Sequence, residues 1–187
     1  IGEAGTLDTL TIEWQSTDVS NIEEHTIFVT NNGQNYSLLD STAGDVFTYD
    51  WVVPNIISDQ NRIVVESIDE WGLVSDDTTN IFVIIDNDPP EIEVLSPSEG
   101  FSVPEYEELT VTWEATDNID VSDSIWLYYS NNGGDSFIEM DSTSFSIPAG
   151  VTDSAQVKLI VQDIYGNESE GFSDFFSVTD NTPPSVT

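Results

Sequence analysis

The chain has 187 residues, which is room for one medium domain or two small ones of about 100 residues each. It carries 36 Asp and Glu against 2 Lys and Arg, a formal net charge of −34, which argues against binding to nucleic acid or to anionic lipid. The absence of cysteine excludes disulfides, thiolate nucleophiles and zinc–thiolate sites, and no run of about 18 apolar residues predicts a membrane span.

The chain nevertheless has the apolar residues that packed cores need: 38% are hydrophobic and 11% aromatic. Its two cationic side chains, Arg62 and Lys158, cannot neutralise the carboxylates through internal ion pairs. Two explanations of the charge stay open. One is an acidic surface adapted to high salt, and the other is bound calcium that cancels the repulsion.

The sequence is a tandem repeat. Asp86-Asn87-Asp88-Pro89-Pro90 returns as Asp180-Asn181-Thr182-Pro183-Pro184, and Leu10-Thr11-Ile12-Glu13-Trp14 returns as Leu109-Thr110-Val111-Thr112-Trp113. Many further matches follow in the same order, which indicates duplication of one folding unit. We therefore predict a first repeat at 1–88, a second at 89–182, and the start of a next repeat or a tail at 183–187.

The predicted elements are short strands. Leu10, Ile12 and Trp14 alternate with polar neighbours, which predicts a half-buried strand near 8–15, and the same strand order continues to 78–85. Because seven strands fit each repeat and no helical stripe is found, we predict an all-β chain of two seven-stranded antiparallel sandwiches. In the second repeat the predicted strands are 91–96, 107–115, 124–130, 136–141, 143–147, 155–162 and 172–179.

Three local features refine this prediction. Asn32-Gly33 and Asn132-Gly133 lie between strand-like runs and predict hairpin turns with a positive φ. Trp14 and Trp113 are predicted to be equivalent core residues. Trp126 and Tyr128 alternate with Leu127 and Tyr129 and are predicted to lie on an outer sheet face.

The first repeat has only residues 1–8 before its first complete strand, where the second has 91–96. We therefore predict that the first repeat lacks most of its first strand. Truncation of a longer polypeptide explains this, and so does strand exchange between subunits.

The segments Val94-Leu95-Ser96-Pro97 and Tyr49-Asp50-Trp51-Val52-Val53-Pro54, with the repeated Asp-Asn-x-Pro-Pro, resemble the immunoglobulin-like and fibronectin type III-like modules of bacterial surface and secreted proteins. The resemblance covers essentially the whole chain. It implies a non-catalytic, extracellular module of a stalk, filament or adhesin, whose partners are neighbouring repeats, copies of itself, or a surface glycan or protein. It also fits a spacer or a carbohydrate-binding module of a secreted hydrolase.

The acidic loops predict a calcium site. In a sandwich of this type the segment Asp86-Asn87-Asp88 should approach Asp117, Asp120 and Asp163, an arrangement that resembles the calcium junctions of cadherins. Calcium prefers 6–8 oxygen ligands, which short Asp and Asn side chains supply. The alternative is solvated loop acids, with Asp and Asn only forming turns. Further candidate ligands are Asp59, Asp18, Asp69 and Asp180.

The sequence predicts no catalytic site. His25 is the single histidine, it has no counterpart in the second repeat, and no serine nucleophile context surrounds it. Carboxylate pairs of the kind that hydrolyse glycosides occur by chance in so acidic a chain, and two small sandwiches offer no evident deep cleft.

Overall fold

The computed structural model describes residues 2–186. All of their regular secondary structure is β-strand, and among these residues no helix is long and apolar enough to cross a membrane. The chain divides into two compact units, Ile1–Asn87 and Asp88–Thr187, called here the first unit and the second unit. The strands of the first unit are β1 (Glu3–Gly5), β2 (Thr9–Glu13), β3 (Ile22–Thr30), β4 (Ser37–Ala43), β5 (Thr48–Val52), β6 (Ser58–Asp69), β7 (Val74–Thr78) and β8 (Phe82–Ile85). Those of the second unit are β9 (Glu91–Ser96), β10 (Ser102–Pro104), β11 (Glu108–Thr110), β12 (Thr112–Thr116), β13 (Val121–Ser130), β14 (Ile138–Met140), β15 (Ser144–Ser146), β16 (Thr152–Asp163), β17 (Glu168–Phe172) and β18 (Phe176–Thr179).

The first unit is a sandwich of one large and one small sheet. The large sheet has the order β1-β8-β6-β3-β4, with β7 also paired to β6. The small sheet is the antiparallel pair of β2 and β5, in which Thr9 lies opposite Val52 and Glu13 opposite Thr48. The inward side chains of both sheets form one hydrophobic core: Ala4, Ile12, Ile27, Trp51, Val53, Ile63, Phe82 and Ile84.

The second unit repeats this plan and adds a strand. Its large sheet has the order β10-β18-β16-β13-β14, with β17 also on β16, and β11 pairs with β15. The added strand is β9, which pairs with β12 and so covers an edge of the small sheet. Its core consists of Val103, Leu109, Val111, Leu127, Tyr129, Phe145, Ile147, Ala155, Val157, Leu159, Phe176 and Val178.

The predicted loss of the first strand is confirmed, with one refinement. In the described part of the first unit no strand corresponds to β9. However, β1 pairs in parallel with β8 just as β10 pairs with β18. The missing part is therefore the one that would pair with β2, while the part that joins the large sheet is present.

The alternating pattern places the core residues correctly, but the two tryptophans are less buried than predicted. Ile12 and Val111 are 4% and 2% exposed. Trp14 and Trp113 pack against their cores yet remain half-buried. Each indole therefore closes the margin of its core and does not occupy the centre.

The prediction of one strand over 172–179 is wrong, because the chain leaves the ladder there. The backbone N–H of Ser173 donates to the carbonyl of Val157 at 3.0 Å, and its hydroxyl accepts the Val157 N–H at 3.0 Å. Thr79 makes the same two bonds to Ile63, at 2.9 and 3.0 Å. In both units a hydroxyl replaces a backbone carbonyl at the break, so the central strand keeps its hydrogen bond.

The predicted hairpin turns are confirmed. Gly33 has a φ of 69° and Gly133 a φ of 73°, values that favour glycine. The side-chain oxygen of Asn32 accepts the N–H of Asn35 at 2.9 Å, and the same atom of Asn132 accepts the N–H of Ser136 at 3.1 Å. The amides therefore stabilise the turns in which the glycines reverse the chain.

Candidate metal centre

The most ordered carboxylate of the acidic loops is Asp163, which ends β16. Its Oδ1 accepts the backbone N–H groups of Tyr165, Gly166 and Asn167 at 2.7, 2.6 and 2.9 Å. Its Oδ2 accepts the Asn167 side-chain amide at 2.6 Å. The carboxylate thus forms the turn between β16 and β17 and is held in one orientation.

These bonds decide the charge of Asp163. Burial opposes ionisation, since the residue is 1% exposed. The side-chain and backbone hydrogen bonds from Asn167, with those from Tyr165 and Gly166, outweigh it and hold the pKa below its usual value. A buried, ionised carboxylate therefore stands at the end of the second sandwich at neutral pH.

Asp117 brings a second carboxylate to the same place. It lies in the loop between β12 and β13, is half-buried, and accepts the N–H of Ile119 at 2.9 Å through Oδ1. The carbonyl of Asp120 accepts the Ile164 N–H at 3.3 Å, which ties this loop to the turn after Asp163. As a result, a carboxylate oxygen of Asp117 lies within 4.8 Å of one of Asp163.

The second unit has little positive charge to offset these two carboxylates. Lys158, the one cationic residue of the second unit, pairs with Glu170 at 3.0 Å. At an effective dielectric constant of about 20, two charges about 4.8 Å apart repel by about 3.5 kcal/mol, before solvent screening. A bound divalent cation would turn this repulsion into attraction.

Asp88 contacts the residue that follows Asp117. It opens the second unit, is half-buried, and its Oδ2 accepts the side-chain amide of Asn118 at 3.3 Å. Sequence reasoning singled out Asp88 but missed Asn118 and Asn167, the two amides that orient the carboxylates. The sequence feature that could have identified them is their position in acidic loops: Asn118 directly follows Asp117, and Asn167 lies four residues after Asp163.

Three of the predicted ligands belong to the first unit. Asp86 follows β8, is 6% exposed, and accepts the Thr6 hydroxyl at 3.3 Å. Asn87 is exposed and donates to the Asp8 carboxylate at 3.3 Å. Asp59 is exposed on β6.

Asp18 and Asp69 are the first-unit counterparts of Asp117 and Asp163. The Ser20 hydroxyl donates to Asp18 at 2.7 Å and to Asp69 at 3.2 Å, which links the two carboxylates. Asp69 is 6% exposed and caps its turn through the N–H groups of Trp71 and Leu73. The backbone and hydroxyl of Ser20 hold the pKa of the exposed Asp18 below its usual value.

Asp180 repeats Asp86 in sequence and is exposed. Its Oδ1 accepts the hydroxyl and the N–H of Thr182 at 2.7 and 2.8 Å, and the pKa of the carboxylate is lowered by these two bonds. Asp180 therefore stabilises a local turn with Thr182.

Comparison with known proteins does not assign the chain to a family. No protein-family model and no curated protein sequence matches the chain. Among solved structures, the fibronectin(III)-like modules of Clostridium thermocellum CbhA are 10% identical, with a TM-score of 0.37, over 95% of this chain and 90% of theirs. The N-terminal four Ig domains of Dscam1 isoform 6.9 are 8% identical, with a TM-score of 0.40, over 96% of this chain and 43% of theirs. The FN1–FN3 domains of chicken CNTN1 are 13% identical, with a TM-score of 0.38, over 94% and 62%. The strand order of the two units by itself shows that the chain is a tandem pair of β-sandwiches.

Proposed function

We propose that the chain is a structural or adhesive repeat module of an extracellular microbial surface protein, a stalk, filament or adhesin, in which calcium rigidifies the connection between repeats. The observation that carries the proposal is the pair of Asp117 and Asp163 carboxylates within 4.8 Å of each other. A protein that holds two negative charges so close gains stability when a cation binds between them.

The ligand chemistry favours calcium. The pair offers oxygen atoms only, from Asp117 and Asp163, and calcium takes 6–8 oxygens at about 2.3–2.6 Å from carboxylates, carbonyls and water. Soft ligands are missing, because the chain has no cysteine and its one histidine, His25, is 0% exposed in the first unit. Extracellular modules bind calcium at about 0.1–1 mM, a concentration at which a partly hydrated site suffices.

The connecting segment, residues 86–90, supplies the mechanical part of the proposal. Asp86 precedes Asp88 by two residues, so the backbone keeps their Cα atoms within about 7 Å of each other. An ion held by Asp88 and the acidic loops of the second unit would fix the start of that unit, and Pro89-Pro90 stiffens the chain directly after it.

A non-catalytic role is part of the same proposal. His25 is completely buried between Trp14 and Phe47, with ring centroids 5.4 and 5.2 Å away, and its Nδ1 bonds the Ser67 hydroxyl at 2.8 Å. A histidine in this position stabilises the first core and has no access to a substrate.

The experiment compares the full chain with calcium, with magnesium and with a chelator. The buffer contains about 0.5 M NaCl, so that general screening of the −34 charge is already complete. We expect calcium at about 1 mM to raise the melting temperature and to narrow the range of interdomain distances measured by small-angle scattering. If neither quantity differs between calcium and chelator, the salt-adapted acidic surface is the better explanation.

The carbohydrate-binding alternative receives less support from the outer face of the second unit. Trp126 and Tyr128 do face outward, as predicted, while Leu127 and Tyr129 are 2% exposed. However, the Lys158 ammonium lies 4.9 Å from the centre of the Tyr128 ring and covers a face that a sugar would need. We therefore do not extend the proposal to sugar binding.

A further inference from the structure

In the second unit, side chains on the outer face of the large sheet hold the ammonium group of Lys158. Its Nζ lies 4.9 Å from the centre of the Tyr128 ring and 5.5 Å from the centre of the Phe137 ring. The same atom pairs with a carboxylate oxygen of Glu170 at 3.0 Å, and the Lys158 side chain is 19% exposed. Two aromatic rings and one carboxylate therefore stabilise an ammonium group that is largely withdrawn from water.

Strand register shows that Val64 of the first unit takes the place of Lys158. In the second unit Tyr128, two residues before the end of β13, lies opposite Lys158. In the first unit Phe28, two residues before the end of β3, lies opposite Val64. An aromatic ring is thus present in both units, but the first unit has a short uncharged side chain where the second has an ammonium group.

A second ring is also kept, and a cavity lies beside it. Tyr36 directly precedes β4 as Phe137 directly precedes β14, and Tyr36 is 44% exposed. The cavity has a volume of about 340 Å³ and is lined by six residues of the first unit: Phe28, Tyr36, Val64, Glu66, Asp76 and Thr78. The first unit therefore has open space where the second unit holds its ammonium group.

The carboxylate is kept as well, and a second one is added. Asp76 lies opposite Glu66 in the first unit. At the same register the second unit has Glu170 opposite Ile160. Within the described residues neither carboxylate of the first unit pairs with a cationic side chain, and Arg62, on the same strand as Glu66, does not line the cavity. Since like charges directly opposite each other destabilise a sheet, the cavity favours a cation from outside the unit.

We propose that this cavity binds the side chain of a lysine that a basic partner protein presents. The occupant is inferred from the second unit, where a lysine fills the equivalent place. The aliphatic part of the side chain packs against Phe28 and Tyr36. Its ammonium group approaches Glu66 and Asp76, and the net charge of −34 draws basic partners towards the chain. The site needs no metal ion and is independent of the calcium proposal.

The first test records the backbone amide signals of the full chain by NMR while the peptide acetyl-Gly-Lys-Gly-amide is added. The buffer holds a chelator and about 0.15 M NaCl, which limits the screening length to about 8 Å. We expect saturable shifts at Phe28, Val64 and Thr78 with a millimolar dissociation constant. The matched peptide has norleucine in place of lysine, so it keeps the aliphatic stem and lacks the charge. It should bind about tenfold more weakly or less.

The second test uses variants of the chain. Val64→Lys supplies the cation internally, as the second unit does, and should weaken binding of the lysine peptide by about tenfold or more. Val52→Lys is the matched control, because it adds the same charge at a position on β5 that is 62% exposed and does not line the cavity. It should bind like the original chain. Asp76→Asn, at an exposed strand position, should weaken binding by about threefold or more.

Three results overturn the proposal. One is a titration in which the lysine peptide shifts none of the cavity signals. Another is equal binding of the norleucine peptide, since the cavity would then recognise only an apolar stem. The third is equal binding by Val64→Lys and Val52→Lys, because the peptide would then bind elsewhere. Butylammonium that binds where the lysine peptide does not would assign the cavity to a free amine and overturn the proposal equally.

Discussion

Asp117→Asn tests the metal centre most directly, because it should change stability in opposite directions with and without calcium. The substitution removes one of two charges that lie within 4.8 Å of each other, and it keeps the oxygen that accepts the Ile119 N–H. The full repulsion at this distance is about 3.5 kcal/mol at an effective dielectric constant of about 20. Since Asp117 is half-exposed, screening leaves about 1–2 kcal/mol. In chelator we therefore expect the variant to be more stable than the original chain by this amount.

In calcium the order should reverse. At a free concentration about 100 times the dissociation constant, calcium stabilises the original second unit by about 2.7 kcal/mol. Asp117→Asn should lose most of this gain because it loses a charged ligand. For a unit of this size, about 1 kcal/mol shifts the melting temperature by about 4–8 °C, so calorimetry resolves both effects.

Asp135→Asn is the matched control. Asp135 is an exposed carboxylate in the turn between β13 and β14 of the same unit, and its substitution changes the net charge equally. It should leave the calcium-dependent gain in melting temperature intact. The reasoning is refuted if Asp117→Asn melts below the original chain in chelator, or if both variants gain as much from calcium as the original chain does.

Three other outcomes follow from the fold and the charges. In chelator the second unit should lose stability as the pH falls below about 4. Folding lowers the pKa of Asp163, so its ionised carboxylate stabilises the fold above the pKa of the unfolded state, and this stabilisation is lost as the pH falls. Asp163→Asn should make the melting temperature less dependent on pH in this acidic range. Trp14→Ala and Trp113→Ala should each cost about 2–3 kcal/mol in urea unfolding, less than a fully buried tryptophan, and a cost near zero would contradict the packing of the indoles against the cores. Expressed separately, residues 1–87 should melt below residues 88–187, because the edge of β2 is uncovered; equal melting temperatures would show that this edge carries no penalty.

Strand pattern and duplication were sufficient to predict most of the fold, since alternation such as Leu10, Ile12, Trp14 reports directly on which face is buried. The break at Ser173 was not predictable in this way. Its cause is a hydroxyl that takes the place of a carbonyl opposite Val157, and serine is equally common in uninterrupted strands. The short strand β10 was missed because three residues are too few to show a period.

The residues of the candidate site were likewise predictable only in part. The repeat and the likeness to calcium junctions identified Asp117 and Asp163, because acids that recur at equivalent loops stand out in a duplicated sequence. Asn118 and Asn167 escaped notice, since an asparagine next to an aspartate usually marks only a turn. Their role depends on donor geometry, such as the 2.6 Å bond from the Asn167 amide to Asp163, which only the folded loops establish.

The long central strands also determine how the chain meets proteases. Trypsin-type enzymes cut after lysine or arginine, and this chain offers them two bonds, after Arg62 and after Lys158. Both residues lie in the strands β6 and β16 of the large sheets: Arg62 pairs with Thr30, and Lys158 pairs with Tyr128 on one neighbouring strand and Phe172 on the other. Cleavage therefore requires the innermost strand of a sheet to detach, which is the costliest local opening a sandwich can undergo. The scarcity of cations thus also gives this class of digestive enzymes only two sites in the chain, and both lie within strands.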